Sequence, residues 1–180
     1  MAIQKVVKVN TTTGGLEQYT PLDTSAGAGS AGAIVALDTV GKLALDMMPT
    51  GIGPDAETMV TSDTLTAGQL VNIYDNGGTK TARKASATDT TKPAMGFVLA
   101  GTTTPDSAVV FYGGLNNLYP KGTLVAADTG KPVFLSATAG AVTITPPVAA
   151  GNYMQQIGRV VEVGSTNASL TCTFGPGIVM

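Results

Sequence analysis

The sequence predicts a mainly β chain, with an extended N-terminal arm followed by a compact β-sandwich or barrel domain. Three observations carry that expectation. Short β-branched and apolar runs recur between turn-forming clusters from residue 54 to the C-terminus. Hydrophobic residues make up 43% of the 180 but aromatic ones only 5% and charged ones 12%, so the apolar content is aliphatic and the charge is too sparse for a helical bundle. Residues 1–53 differ in texture, with small residues and glycine over 11–32 and one short apolar strip after them.

Within the arm, Val6, Val7 and Val9 suit a short strand. From Thr11 to Gly32 the Thr, Gly, Ala and Ser residues offer too little apolar surface to order themselves, and the stretch reads as a flexible tether. Ile34, Val35 and Leu37 then lead into Asp38-Thr39-Val40-Gly41, where Asp first and Gly fourth suit a type I turn and a small hairpin. The strip itself is GKLALDMMPTGIG, residues 41–53. In extended backbone Leu43, Leu45 and Met47 share one face, and Pro49 biases Met48 toward the same conformation. A lone two-stranded hairpin is marginal in water, and so few large side chains bury less than the ordering of their backbone costs. The strip therefore needs a surface from elsewhere. Ile34, Val35, Leu37, Leu43, Leu45, Met47, Met48 and Pro49 are the candidate docking residues.

In the body, 54–180, strands are expected over 57–61, 69–74, 79–85, 94–100, 107–112, 123–126, 132–137, 141–145, 153–163 and 168–174. DNGG, ASATDTTKP, GTTTPD, ADTGKP, ATAG and VGSTN separate them as turns and loops. Short strands at this spacing indicate a sandwich or barrel, and the many threonines suit the wet side of a pleated sheet. TAGQLV at 66–71 and PKGTLV at 120–125 echo each other and suggest two equivalent barrel corners.

The chemical inventory is thin. With no histidine and one cysteine, the commonest general base, the Ser-His pair and the usual zinc cage are all unavailable. No cofactor or metal is expected, and no enzyme activity; a carboxylate hydrolase is the remaining route. Against it, the acids are scattered singly beside Gly, Thr, Pro or Asn, where Asp forms turns. Asp75-Asn76-Gly77-Gly78 lacks calcium-loop spacing and reads as a hairpin turn. Cys172, in LTCTF, fits a buried strand position. Net charge −2 gives no field for nucleic acid. The longest apolar runs fall far short of the roughly 20 residues of a spanning helix, so no membrane partner is expected, and no signal peptide is read at the N-terminus. Lys80, Arg83, Lys84 and Lys92 are the densest charge. They read either as the solvated face of the DNGG hairpin or as an electrostatic contact with an acidic protein neighbour. Tyr74, Phe111, Tyr112, Tyr119 and Tyr153 are either core residues or platforms for a sugar.

Three segments carry a resemblance: SAGAIVALDTVGKLALDMMPTGIGPD, LTAGQLVNIYDNGGTKTARKASATDTTKPAMGFVLA and KPVFLSATAGAVTITPPVAAGNYMQQIGRVV. Across roughly residues 30–163 the chain resembles the head decoration (cement) and head-fibre proteins of tailed bacteriophages. Ala44 and Asp46 stand where that pattern usually has Asp and Ser, and Ala33 where it often has Lys. The resemblance implies a β-tulip-like body and a homotrimer on the exterior of a phage capsid. It also implies synthesis in the host cytoplasm and the major capsid protein as partner, with no nucleic acid, membrane or small-molecule substrate. The expected function is capsid decoration that stabilises the head lattice. The alternative is a head-fibre or tail-associated module that contacts a host surface glycan.

Overall fold

A computed structural model of the chain describes residues 5–24, 26–37, 43, 47 and 55–180. The expected type I turn at 38–41 and most of the apolar strip lie outside the described residues. The chain divides into two compact units, Met1–Gly53 and Pro54–Met180.

The first unit corrects the tether expected over 11–32. Strand β1 (Val6–Val9) pairs antiparallel with β2 (Leu16–Tyr19), in a register that sets Val6 opposite Tyr19, Val7 opposite Gln18, Lys8 opposite Glu17 and Val9 opposite Leu16. The TTTGG segment forms the turn between them. Asn10 Oδ1 accepts the Thr12 and Thr13 N–H groups at 2.9 and 3.1 Å, and Gly14, at φ 71°, donates its N–H to Asn10 O at 2.8 Å. Composition suggested disorder because few residues here are large. Local hydrogen bonding from Asn10 supplies the order instead. Farther on, Leu22 bridges Val35 in parallel fashion, and a 3₁₀ turn spans Gly27–Ser30.

The second unit is mainly β, built of a closed barrel, a half-barrel and a short two-stranded ribbon. Strands β3 (Ala56–Thr61), β4 (Leu70–Asn76), β5 (Thr79–Lys84), β6 (Gly96–Val98) and β7 (Ser107–Phe111) close into a barrel of order β3-β5-β4-β6-β7. Only the β3–β5 pairing is parallel. Gly77 and Gly78, at φ 64° and 88°, make the β4–β5 turn, and Asp75 Oδ1 accepts the Gly78 N–H at 2.8 Å. Two consecutive residues at positive φ are what a type I′ hairpin turn requires, so DNGG behaves as expected. Strands β8 (Gly113–Pro120), β9 (Pro132–Leu135), β10 (Val142–Thr143), β12 (Gln156–Val163) and β13 (Asn167–Thr173) form a five-stranded antiparallel half-barrel, of order β10-β9-β12-β13-β8. Between them in the chain, β11 (Tyr153–Met154) pairs with the C-terminal β14 (Ile178–Val179) as a two-stranded ribbon.

Two cores result, and neighbouring residues divide between them. Val71 and Val98 fill the barrel with Met59, Leu65, Ala82, Ala108 and Val110. Leu70 and Phe97, one position earlier on the same strands, join Val133, Leu135, Ile157, Leu170 and Cys172 in the core between barrel and half-barrel. Successive strand side chains point to opposite faces, so a strand buried on both faces reads as a continuous apolar pair. Cys172 is buried in β13 between exposed Thr171 and Thr173, the alternation that LTCTF predicts.

Three expectations are corrected. Residues 123–126 form no strand; they pass from a turn into a 3₁₀ segment at Ala126–Asp128. Asp128 holds that turn, accepting the Val125 N–H at 2.9 Å and pairing with Lys131 at 2.9 Å. The TAGQLV and PKGTLV segments both turn, but differently. Gly68 (φ 83°) is third in a turn closed by the Gln69 N–H to Thr66 O bond and leads into β4, while Gly122 (φ 54°) is second in the turn closed by Leu124 N–H to Lys121 O. They are not equivalent corners. Lastly, β8 was unforeseen, because GGLNNLYP inverts the usual pattern: Leu115 is exposed and Asn116 fully buried.

Candidate functional site

Two surfaces stand out, one on each unit. On the β1–β2 hairpin, opposed residues share a face. One face is polar and tied together: Lys8 pairs with Glu17 at 3.1 Å and lies 4.6 Å from the Tyr19 ring centroid, and Asn10 Nδ2 donates to Glu17 at 2.9 Å. Those bonds hold the Glu17 carboxyl below the usual carboxylate range, the Asn10 bond most of all. The other face carries Val7, Val9 and Leu16, exposed at 63%, 58% and 76%. Of the expected docking residues, Ile34, Val35, Leu37 and Leu43 are exposed and Met47 is half-buried. Leu45, Met48 and Pro49 lie outside the described residues.

On the body, the four clustered cations go to different places. Lys80 donates to both Glu57 oxygens, at 2.9 and 2.7 Å, and the Tyr112 hydroxyl donates to Glu57 at 2.7 Å. Those bonds, from Lys80 first and Tyr112 next, lower the Glu57 carboxyl. Burial, with the Glu57 bond second, pushes the Tyr112 hydroxyl up to about 12. Arg83 lies 4.1 Å over the Tyr74 ring, donates from Nε to Asn72 Oδ1 at 2.9 Å and reaches Thr91 O at 2.8 Å. It pins the loop after β5 to the barrel wall. Lys84 and Lys92 both line one open concavity of about 710 Å³, together with Thr64, Ser86, Thr88 and Thr90.

Besides Lys84 of the barrel, that concavity is lined by Ala139, in the turn between β9 and β10, and Gly151, in the turn before β11. Backbone bonds join its walls. Ala87 donates to Ser136 O at 2.9 Å, Tyr153 to Ala87 O at 2.7 Å and Gly140 to Ala85 O at 2.7 Å. Ser86 Oγ lies 2.9 Å from Thr88 Oγ1, and Asp89 Oδ1 accepts both the N–H and the hydroxyl of Thr91, at 2.9 and 2.7 Å. Those Thr91 bonds, with Lys92 beside them at 3.2 Å, hold the Asp89 carboxyl down at about 2. ASATDTTKP is a loop, as its turn residues predict, and it forms this wall. Its density of hydroxyls was the available signal.

The five aromatic candidates are engaged within the body. Tyr74 lies under Arg83 and Tyr112 binds Glu57, while Phe111 stacks on Phe97 with ring centroids 5.5 Å apart. Buried Tyr119 accepts the Val142 N–H at 2.8 Å, and Tyr153 accepts the Gly177 N–H at 2.7 Å. Core and structural roles account for them. Among the described residues no group of three or more His, Cys, Asp or Glu is placed to hold a metal, and no helix is long and apolar enough to cross a membrane.

No family model, curated protein or solved structure matches this chain.

Proposed function

We propose that the chain is a capsid decoration protein, a non-enzymatic structural component that sits on the exterior of a tailed-phage head and clamps neighbouring major-capsid subunits. The apolar hairpin face formed by Val7, Val9 and Leu16 carries the proposal. A two-stranded ribbon is marginal by itself, and this one turns Val7, Val9 and Leu16 to solvent while Lys8, Asn10 and Glu17 satisfy each other on the opposite face. Such a ribbon gains most from a foreign apolar surface. Ile34, Val35 and Leu37 extend the apolar exposure of the same unit. Sequence resemblance supplies the identity of that surface, the capsid. Association as a trimer would multiply weak arm contacts through effective concentration. Exposed Val148, Ile178 and Val179 are candidate self-association surface, on a turn and strand joined by Gly151 N–H to Met180 O at 2.9 Å.

The test is sedimentation of the full chain with purified heads that lack it. The wild-type chain is expected to co-sediment saturably, and the Val7→Asp, Val9→Asp, Leu16→Asp triple variant to lose at least about ten-fold in affinity. Wild-type protein that stays in the supernatant, or a triple variant that binds as well, overturns the proposal.

A further inference from the structure

We propose that the concavity lined by Lys84 and Lys92 binds an acidic sugar residue, a polyol carrying a single carboxylate, and that Lys84 receives its charge. The inference concerns the body alone and does not rest on capsid binding.

The size and lining select the class. About 710 Å³ is far larger than an inorganic ion and within the range of small-molecule sites. Its lining of Thr64, Ser86, Thr88 and Thr90 hydroxyls with two lysines has little to offer an apolar ligand, whereas a polyol can exchange hydrogen bonds with it.

The charge arrangement selects a monoanion. The lining holds two carboxylates and two ammonium groups, Asp63, Asp89, Lys84 and Lys92. Asp89 is bonded to Thr91 and paired with Lys92 at 3.2 Å, while Asp63 Oδ2 accepts the Lys84 backbone N–H at 2.8 Å. Among the described residues the ion pairs leave Lys84 Nζ without a carboxylate partner and Asp63 without a cationic one. One uncommitted ammonium suits one ligand carboxylate. The fields of Asp63 and Asp89 oppose any anion and oppose a multiply charged one more strongly. Thr64 and Thr90, on opposite sides of Lys84 in the chain, also line the concavity.

The site is also held in shape before any ligand arrives. Arg83, the neighbour of Lys84, clamps the loop through Thr91 O at 2.8 Å, and Ser86 donates its N–H to Lys92 O at 3.0 Å. A rigid wall reduces the ordering that binding would otherwise require.

The experiment is an amide chemical-shift titration of the full ¹⁵N-labelled chain with glucuronate, with glucose and inorganic phosphate as separate arms. Glucuronate is expected to shift the amides of residues 63–64 and 84–92 saturably. Glucose, lacking the carboxylate, should bind about ten-fold more weakly, and Lys84→Gln should lower glucuronate affinity about ten-fold while leaving the backbone N–H to Asp63 in place. An unchanged amide spectrum away from the site verifies that the variant is folded. Glucose binding as tightly as glucuronate, or an unaffected Lys84→Gln variant, overturns the role of Lys84. Phosphate binding as tightly as glucuronate overturns the sugar assignment, and no shift at these amides overturns the site.

Discussion

Gln155 grips the peptide of Ala94 from both sides: its Oε1 accepts the Ala94 N–H at 2.8 Å, and its Nε2 donates to the Ala94 carbonyl at 2.8 Å. The same Nε2 reaches Gly175 O at 2.8 Å, and the side chain is only 2% exposed. One amide thus ties the approach to β6 to the C-terminal segment and acts as a strand bridge made by a side chain.

Replacing it with leucine keeps the volume and leaves three backbone groups without that partner. Unpaired buried polar groups are costly. Gln155→Leu is expected to lower unfolding free energy by about 3 kcal/mol or more, measured by urea denaturation. A loss under about 1 kcal/mol would mean that water reaches these groups and that the amide is not structural.

Gly68 holds a second junction. At φ 83° an L-residue is strained, and a Cβ there would collide with the Leu118 carbonyl and Tyr119 Cα of β8. Gly68→Ala is therefore expected to destabilise by about 3 kcal/mol. The Asn116 Nδ2 bond to Gly68 O, 2.8 Å long, would be disturbed as well. A thermal melt within a degree or two of wild type would refute the close approach.

Acid sensitivity should be traceable to Asp89. Its carboxyl is held at about 2 in the folded chain, by Thr91 chiefly and Lys92 next, against about 4 when unfolded. A depressed folded-state value contributes stability that is present above about pH 4 and is lost as pH falls toward 2. Asp89→Asn should flatten stability across that window and leave the neutral range sloped as in wild type. Parallel profiles for the two proteins between pH 4 and 2 would count against the Thr91 and Lys92 contacts.

Cys172 should be silent until the body unfolds. It is 1% exposed, and burial pushes its thiol up to about 12, so almost no thiolate is present at neutral pH. Alkylation by iodoacetamide should track global unfolding in urea. Rapid labelling of the native chain would show that β13 opens locally.

How much of this was legible depends on how far away each determinant lies. The Asp75–Gly78 turn was readable because four adjacent residues contain the whole mechanism: an Asp acceptor and two glycines at positive φ. Cys172 was readable from alternation alone. Strand β8 was not, because buried Asn116 finds its Nδ2 partner in the Gly68 carbonyl, 48 positions away. Its Oδ1 is buried with no partner among the described residues, a feature that no local pattern announces. The N-terminal hairpin was half-read. The β1 valines are visible in the sequence, yet LEQY is not, because its pairing depends on Asn10 and on the Lys8–Glu17 ion pair.

From the residues alone came the β class, the turn sites, the absence of histidine chemistry and the apolar character of the arm, since composition and short-range geometry decide each of them. Folding decided which side of each strand faces which core, placing Leu70 and Val71 in different interiors, and it set Thr64, Lys84 and Gly151 around one concavity. Adjacent residues differ by one step of a two-residue repeat, which local sequence can state. Which sheet lies across from each face is a long-range pairing, and only the closed barrel and its neighbouring half-barrel supply it.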